Sequence, residues 1–350
     1  MLYNVPKRNT PDFRLMRIER PEETCLWDFQ SLTNKGQMYI LNMRENGSRS
    51  YERENTGLMF ERFDVIPNAE MKQYTTLRLG GPADWLIFPR SGEEISAIFA
   101  EAAQAGIPVT VIGHGSNLLV LDGGIRGAVI RVEKNMRAIR AEGTQIIAQA
   151  GAMLGAVAMA AAEAGLTGME FASGIPGTVG GGVTMNAGAY DGEMAQVVSR
   201  VNGVYPNGTR VSLAAEEMHF GYRTSAVQGT DLVVTEVTFD LKPGDPAEIR
   251  AKMSDLNARR AEKQPLDMPS AGSTFKRPEG YFAAALIDQC GLKGYSIGDA
   301  MVSMKHAGFL VNTGSSSADF KALMDKVQSI VEERAGVRLE PEIRVLGEEA

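Results

Sequence analysis

Three hundred and fifty residues, 44% hydrophobic and 23% charged, leave room for two or three domains with ample core and exclude a chain disordered throughout. A net charge of −7 argues against a general nucleic-acid binder, and the longest nearly unbroken apolar run, Ala152–Ala162, is far short of the ~20 residues of a membrane span. Two cysteines, Cys25 and Cys290, with no CxxC pair, make neither a disulfide framework nor a zinc site; with Lys7, Arg8, Asp12 and Arg14 breaking any secretory signal, a reduced, cytoplasmic protein is expected.

Residues 1–63 hold ten Lys/Arg and nine Asp/Glu but three glycines, with no sustained period of 2 or 3.6. They read as an N-terminal extension without a core of its own. Its apolar clusters Met38–Leu41 and Leu58–Phe60 could pair as a hairpin or pack on a neighbour.

From Asp64 the pattern sharpens into a first domain over 64–242. Trp85–Phe88 predicts a strand, and Ser91 with Glu94 forms a capping box. Ile95, Ile98, Phe99 and Ala102 follow at helical spacing, Gly106 ends the helix, and Val109–Ile112 completes a β-α-β unit. Leu118–Leu121 and Ala128–Val132 predict strands around the turn Asp122-Gly-Gly124, and Ile146–Gln149 precedes a small-residue helix near Met153–Ala164. Val197–Tyr205 and Thr209–Leu213 read as a hairpin through Pro206-Asn207-Gly208. Leu232–Leu241 alternates as a half-buried strand.

Pro243-Gly-Asp-Pro246 is the clearest boundary, opening a second domain over 243–350. Helices are predicted over Pro246–Lys263, Tyr281–Cys290 and from a cap at Ser317 to Gly336, the last with an apolar stripe of Phe320, Leu323, Met324, Val327, Ile330 and Val331. Val337–Leu339 and Ile343–Leu346 read as strands. The fold class is α+β.

Glycine is the compositional excess, 38 of 350 against a usual ~7%, and seven of them fall between Phe171 and Gly192. Gly113-His114-Gly115-Ser116-Asn117 follows a strand but fails as a dinucleotide fingerprint, because Leu118 stands at the third-glycine position and no helix opens there. Glu133, 20 residues beyond Gly113, is a weak acidic match. The segment reads as a tight turn or as a loop whose N–H groups and Ser116 and Asn117 side chains hold a phosphate. Gly174-Ile175-Pro-Gly177-Thr-Val-Gly180-Gly181-Gly182 reads as an extended run of bare N–H groups suited to a pyrophosphate, with Asn186 and Tyr190 adding donors beyond it.

These motifs together resemble the UDP-N-acetylenolpyruvoylglucosamine reductase family. The resemblance rests on Thr75-Thr-Leu-Arg78-Leu-Gly-Gly81, the Gly115–Leu119 loop, the Gly174–Gly181 run with Asn186–Tyr190, and Gly221-Tyr222-Arg223-Thr-Ser225. It continues through Gly272-Ser273-Thr-Phe-Lys276-Arg277-Pro278 and Glu342-Ile-Arg344, in family order over roughly residues 64–347. It implies an FAD-binding fold of vanillyl-alcohol-oxidase (PCMH) type in two subdomains and a third, substrate-binding part. It also implies non-covalent FAD, NADPH as reductant, and reduction of UDP-N-acetylenolpyruvoylglucosamine to UDP-N-acetylmuramate for peptidoglycan. The spacing of the later motifs resembles the shorter branch, which lacks an inserted tyrosine loop. His114, Gly182, Asp191 and the extension before Asp64 depart from the pattern.

Hydride addition to an enolpyruvyl ether puts negative charge beside a carboxylate, and that enolate needs fixed positive charge, donors and then a proton. Arg223 suits the carboxylate through its planar fork. By resemblance, Arg223 and Glu342 stabilise or polarise the enol and Ser273 delivers the proton. The resemblance places FAD against Gly113, Gly115, Ser116, Asn117, Leu118, Gly174, Ile175, Gly177, Gly180, Gly181 and Asn186. Arg260 faces either the FAD pyrophosphate or solvent. Lys276, Arg277 and Arg344 are placed to meet the UDP diphosphate, while Tyr190 and Tyr222 either meet flavin or substrate or pack in the core.

His114, His219 and His306 share no metal spacing, and no metal is expected. His114 is the first candidate for a covalent flavin link should one exist. Expected partners are the UDP-sugar and NADPH, with no nucleic acid or membrane, in a monomer or weak homo-oligomer. Rival readings are a flavin oxidase of the same fold, marked by rapid reoxidation with O₂, and a non-catalytic nucleotide sensor, marked by no turnover.

Overall fold

The computed structural model describes residues 59–350 in full and, before them, the backbone of four strands. Those strands, Arg14–Met16, Gln30–Asn34, Gln37–Met43 and Arg49–Glu52, form an antiparallel sheet in chain order within a unit spanning Met1–Glu61. The Met38–Leu41 cluster pairs with Gln30–Thr33 on one side and, through Ile40 and Leu41, with Glu52 and Tyr51 on the other; Leu58 lies outside the described residues. Backbone pairing here needs no apolar alternation, which is why periodicity missed it.

The second unit, Arg62–Ala350, contains three layers of structure relevant to the site. Its first sheet runs Val65–Glu70, Pro82–Ile87, Ile125–Arg131, Val109–Ile112. The helix Gly92–Gln104 connects two of these strands; Ser91 Oγ accepts the Glu94 N–H at 3.3 Å and Glu94 accepts the Arg90 N–H at 2.8 Å, while Ile95, Ile98 and Ala102 are buried. The expected β-α-β strands are not neighbours, since Ile125–Arg131 lies between them and pairs parallel with both.

A five-stranded antiparallel sheet follows, in the order Ile139–Glu142, Gln145–Gln149, Val233–Asp240, Val198–Val204, Arg210–Ala214. Its last two strands form the expected hairpin; Asn207 Oδ1 accepts the Thr209 N–H at 2.9 Å and Gly208 supplies φ +85°. The helix Leu154–Glu163 packs on one end of this sheet through Leu154, Val157, Ala158, Ala161 and Ala162.

Past the Pro243–Pro246 turn, the helix Pro246–Lys263 folds back against Leu154–Glu163 and Glu170–Ala172. Asp245 caps it by accepting the Ala247 N–H at 2.7 Å. Buried Glu170 accepts from the Thr167 hydroxyl, from the Gly168 N–H at 3.0 Å and from Lys252 at 3.5 Å, which fastens this helix to the preceding lobe. The remaining chain builds a three-stranded sheet, Ser296–Ile297, Ala300–Val302 and Leu310–Asn312, under the helix Ser317–Ala335. Its apolar stripe is buried as expected, in a core shared with Leu77, Leu79, Leu119 and Leu121.

Two boundaries differ from expectation. Ser316, not Ser317, caps the last helix by accepting the Asp319 N–H at 3.2 Å, because the Ser317 N–H is drawn to both carboxylate oxygens of Asp122 at 3.0 Å. Val337–Leu339 joins no sheet, and the Leu339 carbonyl is satisfied by the Gln328 side chain at 2.8 Å. Arg344–Leu346 is a strand and pairs parallel with Leu118–Val120. Among the described residues, no helix is long and apolar enough to cross a membrane.

Candidate active site

The two glycine-rich segments meet. A Cβ on Gly113 would overlap the Thr178 hydroxyl, and one on Gly177 would lie 3.8 Å from Ser116 Oγ. Gly115, at φ +79°, would drive a Cβ into the Tyr74 carbonyl oxygen. Among the described residues, the N–H groups of Gly113, His114, Gly115, Ser116 and Asn117 find no acceptor. Five consecutive free donors in a half-buried loop are the setting an anionic diphosphate requires.

The 174–182 run is built differently from the expected extended array. It turns into the short helix Val179–Thr184, capped by Thr178. The N–H groups of Ile175, Gly177, Val179, Gly180 and Gly182 bond to Ala172, Ile175, Ala152, Ala150 and Thr178 carbonyls, and that of Gly181 bonds to the Thr178 hydroxyl. Its glycines serve close approach instead, since a Cβ on Gly180 or Gly182 would come within 3.1 Å of Ala150 or Leu154.

Arg260 is half-buried and donates to the Gly174 carbonyl, so it does not lie on a solvated helix face. Burial pulls its guanidinium below the usual value, against the pull of the adjacent Tyr190. Tyr190 and Asp191, at φ +52° and +65°, form the two-residue turn of the Gly188–Ala189/Gly192–Glu193 hairpin. A bulky side chain in that conformation stores strain, a common property of functional sites. Asn186 is buried at φ +42°, and both ends of its amide are engaged: it donates to Gly221 O at 3.0 Å and accepts from Ala195 N at 2.9 Å.

Arg223 and Glu342, far apart in sequence, come together. Arg223 Nε donates to Glu342 Oε1 at 2.6 Å, with both side chains largely buried. Burial raises the Glu342 carboxyl above the usual range, opposed by Arg223 and then by Lys276. Arg223 sits at φ +56° in the turn between Gly221 and Thr224, its guanidinium 5.3 Å from the Tyr222 ring.

Ser273 is placed beside Glu342 by backbone pairing. Thr274 O accepts the Glu342 N–H at 2.8 Å, Phe275 bridges to Pro341, and Lys276 N donates to Glu340 O at 2.8 Å. Among the described residues, the Ser273 hydroxyl has no hydrogen-bond partner. Tyr222, 53% exposed, accepts the Arg277 N–H at 3.0 Å, and the Arg277 guanidinium lies 4.4 Å over the Phe282 ring. Lys276 reaches the exposed Glu340 at 3.4 Å, and Arg344 is exposed on the strand beside Leu118. Tyr222 and Tyr190 are therefore not core residues.

Sequence reasoning missed a second cluster. Arg131 is buried, pairs with Glu133 and lies 5.0 Å over the Tyr74 ring, while His114 Nδ1 stands 3.6 Å from Glu133. The 20-residue spacing from Gly113 to Glu133 points to a dinucleotide fingerprint and gives no sign of its pairing with Arg131, two residues before it. Buried His114 Nδ1, Arg131 Nε and Arg260 Nε have no hydrogen-bond partner. These orphaned nitrogens and the free loop N–H groups fit an anionic flavin dinucleotide.

Comparison with known proteins gives a consistent picture. A model of the UDP-N-acetylenolpyruvoylglucosamine reductase C-terminal domain matches residues 264–346, and an FAD-binding domain model matches residues 83–214. UDP-N-acetylenolpyruvoylglucosamine reductase of Lactiplantibacillus plantarum is 48% identical over 291 residues, 83% of this chain and 96% of its own. That of Caldanaerobacter subterraneus is 49% identical over 282 residues, 80% and 93%. The solved UDP-N-acetylenolpyruvylglucosamine reductase of Thermus caldophilus superposes with a TM-score of 0.70 at 37% identity, covering 82% of this chain and 99% of that one.

Proposed function

This chain belongs to the UDP-N-acetylenolpyruvoylglucosamine reductase family, and from that membership we propose that it reduces UDP-N-acetylenolpyruvoylglucosamine to UDP-N-acetylmuramate, using FAD and NADPH, in the cytoplasm. The observation that carries this reading is the Arg223–Glu342 pair closed at 2.6 Å, with the Glu342 N–H on the carbonyl of Thr274, the residue after Ser273.

FAD, when bound, supplies the hydride exchange between NADPH and the enolpyruvyl carbon. The residues to hold it are Gly113–Leu118, the Gly174–Gly181 turn and Arg260, whose unpartnered nitrogen and free loop N–H groups match its diphosphate.

Arg223 neutralises the substrate carboxylate and the enolate charge that develops beside it. Its fork is already fixed on Glu342, so little reorganisation is needed when charge appears. Glu342, raised by burial and held on Arg223, polarises the enol. Ser273 gives its hydroxyl proton to the carbon next to the carboxylate and regains one from water, to which it is partly exposed. Arg277, Lys276 and Arg344 form the basic rim for the UDP diphosphate, with Tyr222 and Tyr190 at the mouth.

An anaerobic absorption experiment tests the reading. The purified protein is expected to be yellow, to bleach with NADPH, and to recover its colour on addition of the enolpyruvyl substrate. A colourless protein that FAD cannot reconstitute would sink it. Acid is expected to release the flavin; flavin retained in the precipitate would indicate a covalent bond, with His114 the first suspect.

A further inference from the structure

Arg223 holds a left-handed backbone conformation that is rare for a residue other than glycine, so something around it must enforce that conformation. Part of what enforces it lies outside the recognised motif. Gln228 Nε2 donates to Arg223 O at 2.8 Å and, with its second hydrogen, to Thr184 O at 2.8 Å. Both donors of that amide are thus used on carbonyls, one on the turn carrying Arg223 and one on the last residue of the helix Val179–Thr184.

Two further bonds run in parallel. Ser225 Oγ donates to the same Thr184 carbonyl at 3.0 Å, and Asn186 Nδ2 donates to Gly221 O at 3.0 Å. The turn itself is closed by the Gly221 N–H on Thr224 O at 3.1 Å and the Thr224 N–H on Gly221 O at 3.2 Å, and among the described residues only Gln228 donates to the Arg223 carbonyl. Without it, the Arg223 carbonyl has no donor among the described residues, and the left-handed turn rests on the Gly221–Thr224 bonds alone. A change of φ at Cα swings a long side chain by ångströms at its tip and breaks a 2.6 Å contact.

We infer that Gln228 is a positioning residue, which holds the Arg223 backbone left-handed against the Val179–Thr184 helix so that the guanidinium stays on Glu342. The inference rests on the role given to Arg223 above.

The test follows the Arg223 Nε–H proton by ¹H–¹⁵N NMR in the FAD-loaded protein. Its resonance, assigned by its loss in Arg223→Lys, exchanges slowly with water while the bond to Glu342 persists. Gln228→Met keeps the size and removes both donors. It is expected to lose that resonance and to slow reduction of the enolpyruvyl substrate by up to about a hundredfold, while NADPH bleaches the flavin at the parent rate. Gln228→Lys, whose ammonium can donate to both carbonyls, is expected to restore the resonance and the rate.

Persistence of the resonance in Gln228→Met overturns the proposal. Loss of the resonance in both Gln228→Met and Gln228→Lys also overturns it, because donation to the two carbonyls would not be what matters. Loss in Gln228→Met alone with no change in rate upholds the positioning and overturns instead the role of Arg223. If Gln228→Met does not fold, Gln228→Asn is read in its place, because that amide is a methylene too short to reach both oxygens.

Discussion

Asn117 donates its side-chain amide to the carbonyl of Glu342 at 3.1 Å. Its own carbonyl accepts the Arg344 N–H at 3.0 Å, so the loop that offers five free N–H groups also clasps the segment that carries Glu342 into the strand Arg344–Leu346. Glu342 therefore cannot move independently of that loop.

Asn117→Ala leaves the part-buried Glu342 carbonyl without its donor, and should cost about 1–3 kcal/mol in urea unfolding. The oxidative half-reaction is expected to slow more than the bleaching by NADPH. Equal slowing of the two would place Asn117 in cofactor binding alone.

Ser273→Ala should leave the bleaching of the flavin by NADPH near the parent rate, since that step needs no proton at the substrate carbon. Reoxidation by the enolpyruvyl substrate without oxygen is expected to fall by at least about a hundredfold. Stopped-flow absorption separates the two. A folded variant that reoxidises at the parent rate removes Ser273 as the proton donor.

Arg223→Met changes the pH dependence of stability in a defined direction. Burial already raises Glu342, and Arg223 is the first influence pulling it back down. A carboxyl raised in the folded state contributes stability at low pH and loses it as pH rises toward its folded value. Removing Arg223 raises that value further, so the variant's deficit relative to the parent should widen as pH rises above the usual carboxylate range. Urea midpoints at pH 5 and pH 8 read this; a constant gap would mean that the pair does not couple in solution.

Gly177→Ala and Gly115→Ala separate cofactor space from protein packing. An added methyl at Gly177 meets nothing nearer than 3.8 Å and should leave Tm close to the parent. Weaker flavin retention in that variant, by tenfold or more (about 1.4 kcal/mol), would locate the cofactor against Gly177. Gly115→Ala, at φ +79° and against the Tyr74 carbonyl, should lower Tm outright. Unchanged flavin binding in Gly177→Ala would remove that glycine from the cradle.

What the sequence made legible was local chemistry. Ser91 with Glu94, and Asn207 with Gly208, act within a few residues, so their cap and hairpin could be read directly. Arg223, Ser273 and Glu342 were legible as motif members, and the fold brings Arg223 and Glu342 into contact across 119 residues of chain. The non-local facts stayed hidden. Nothing near Val109 announces that Ile125–Arg131 will slot in beside it. The glycines at 174–182 looked like bare donors because a helix cap formed by Thr178 cannot be told from a loop by composition. Gln228 escaped because its two acceptors are backbone carbonyls, which any residue supplies.

The parallel pairing of Arg344–Leu346 with Leu118–Val120 also orders events during synthesis. Asn117 and Glu342 are 225 residues apart, so at ~5–20 residues per second a ribosome exposes the first on the order of ten to forty seconds before the second. Throughout that interval the edge at Leu118 waits without its partner strand, and the nascent chain holds the 113–117 loop without Glu342. Flavin capture and catalytic competence should therefore arise at separate moments in the life of each molecule, the second only after the ribosome has passed Leu346.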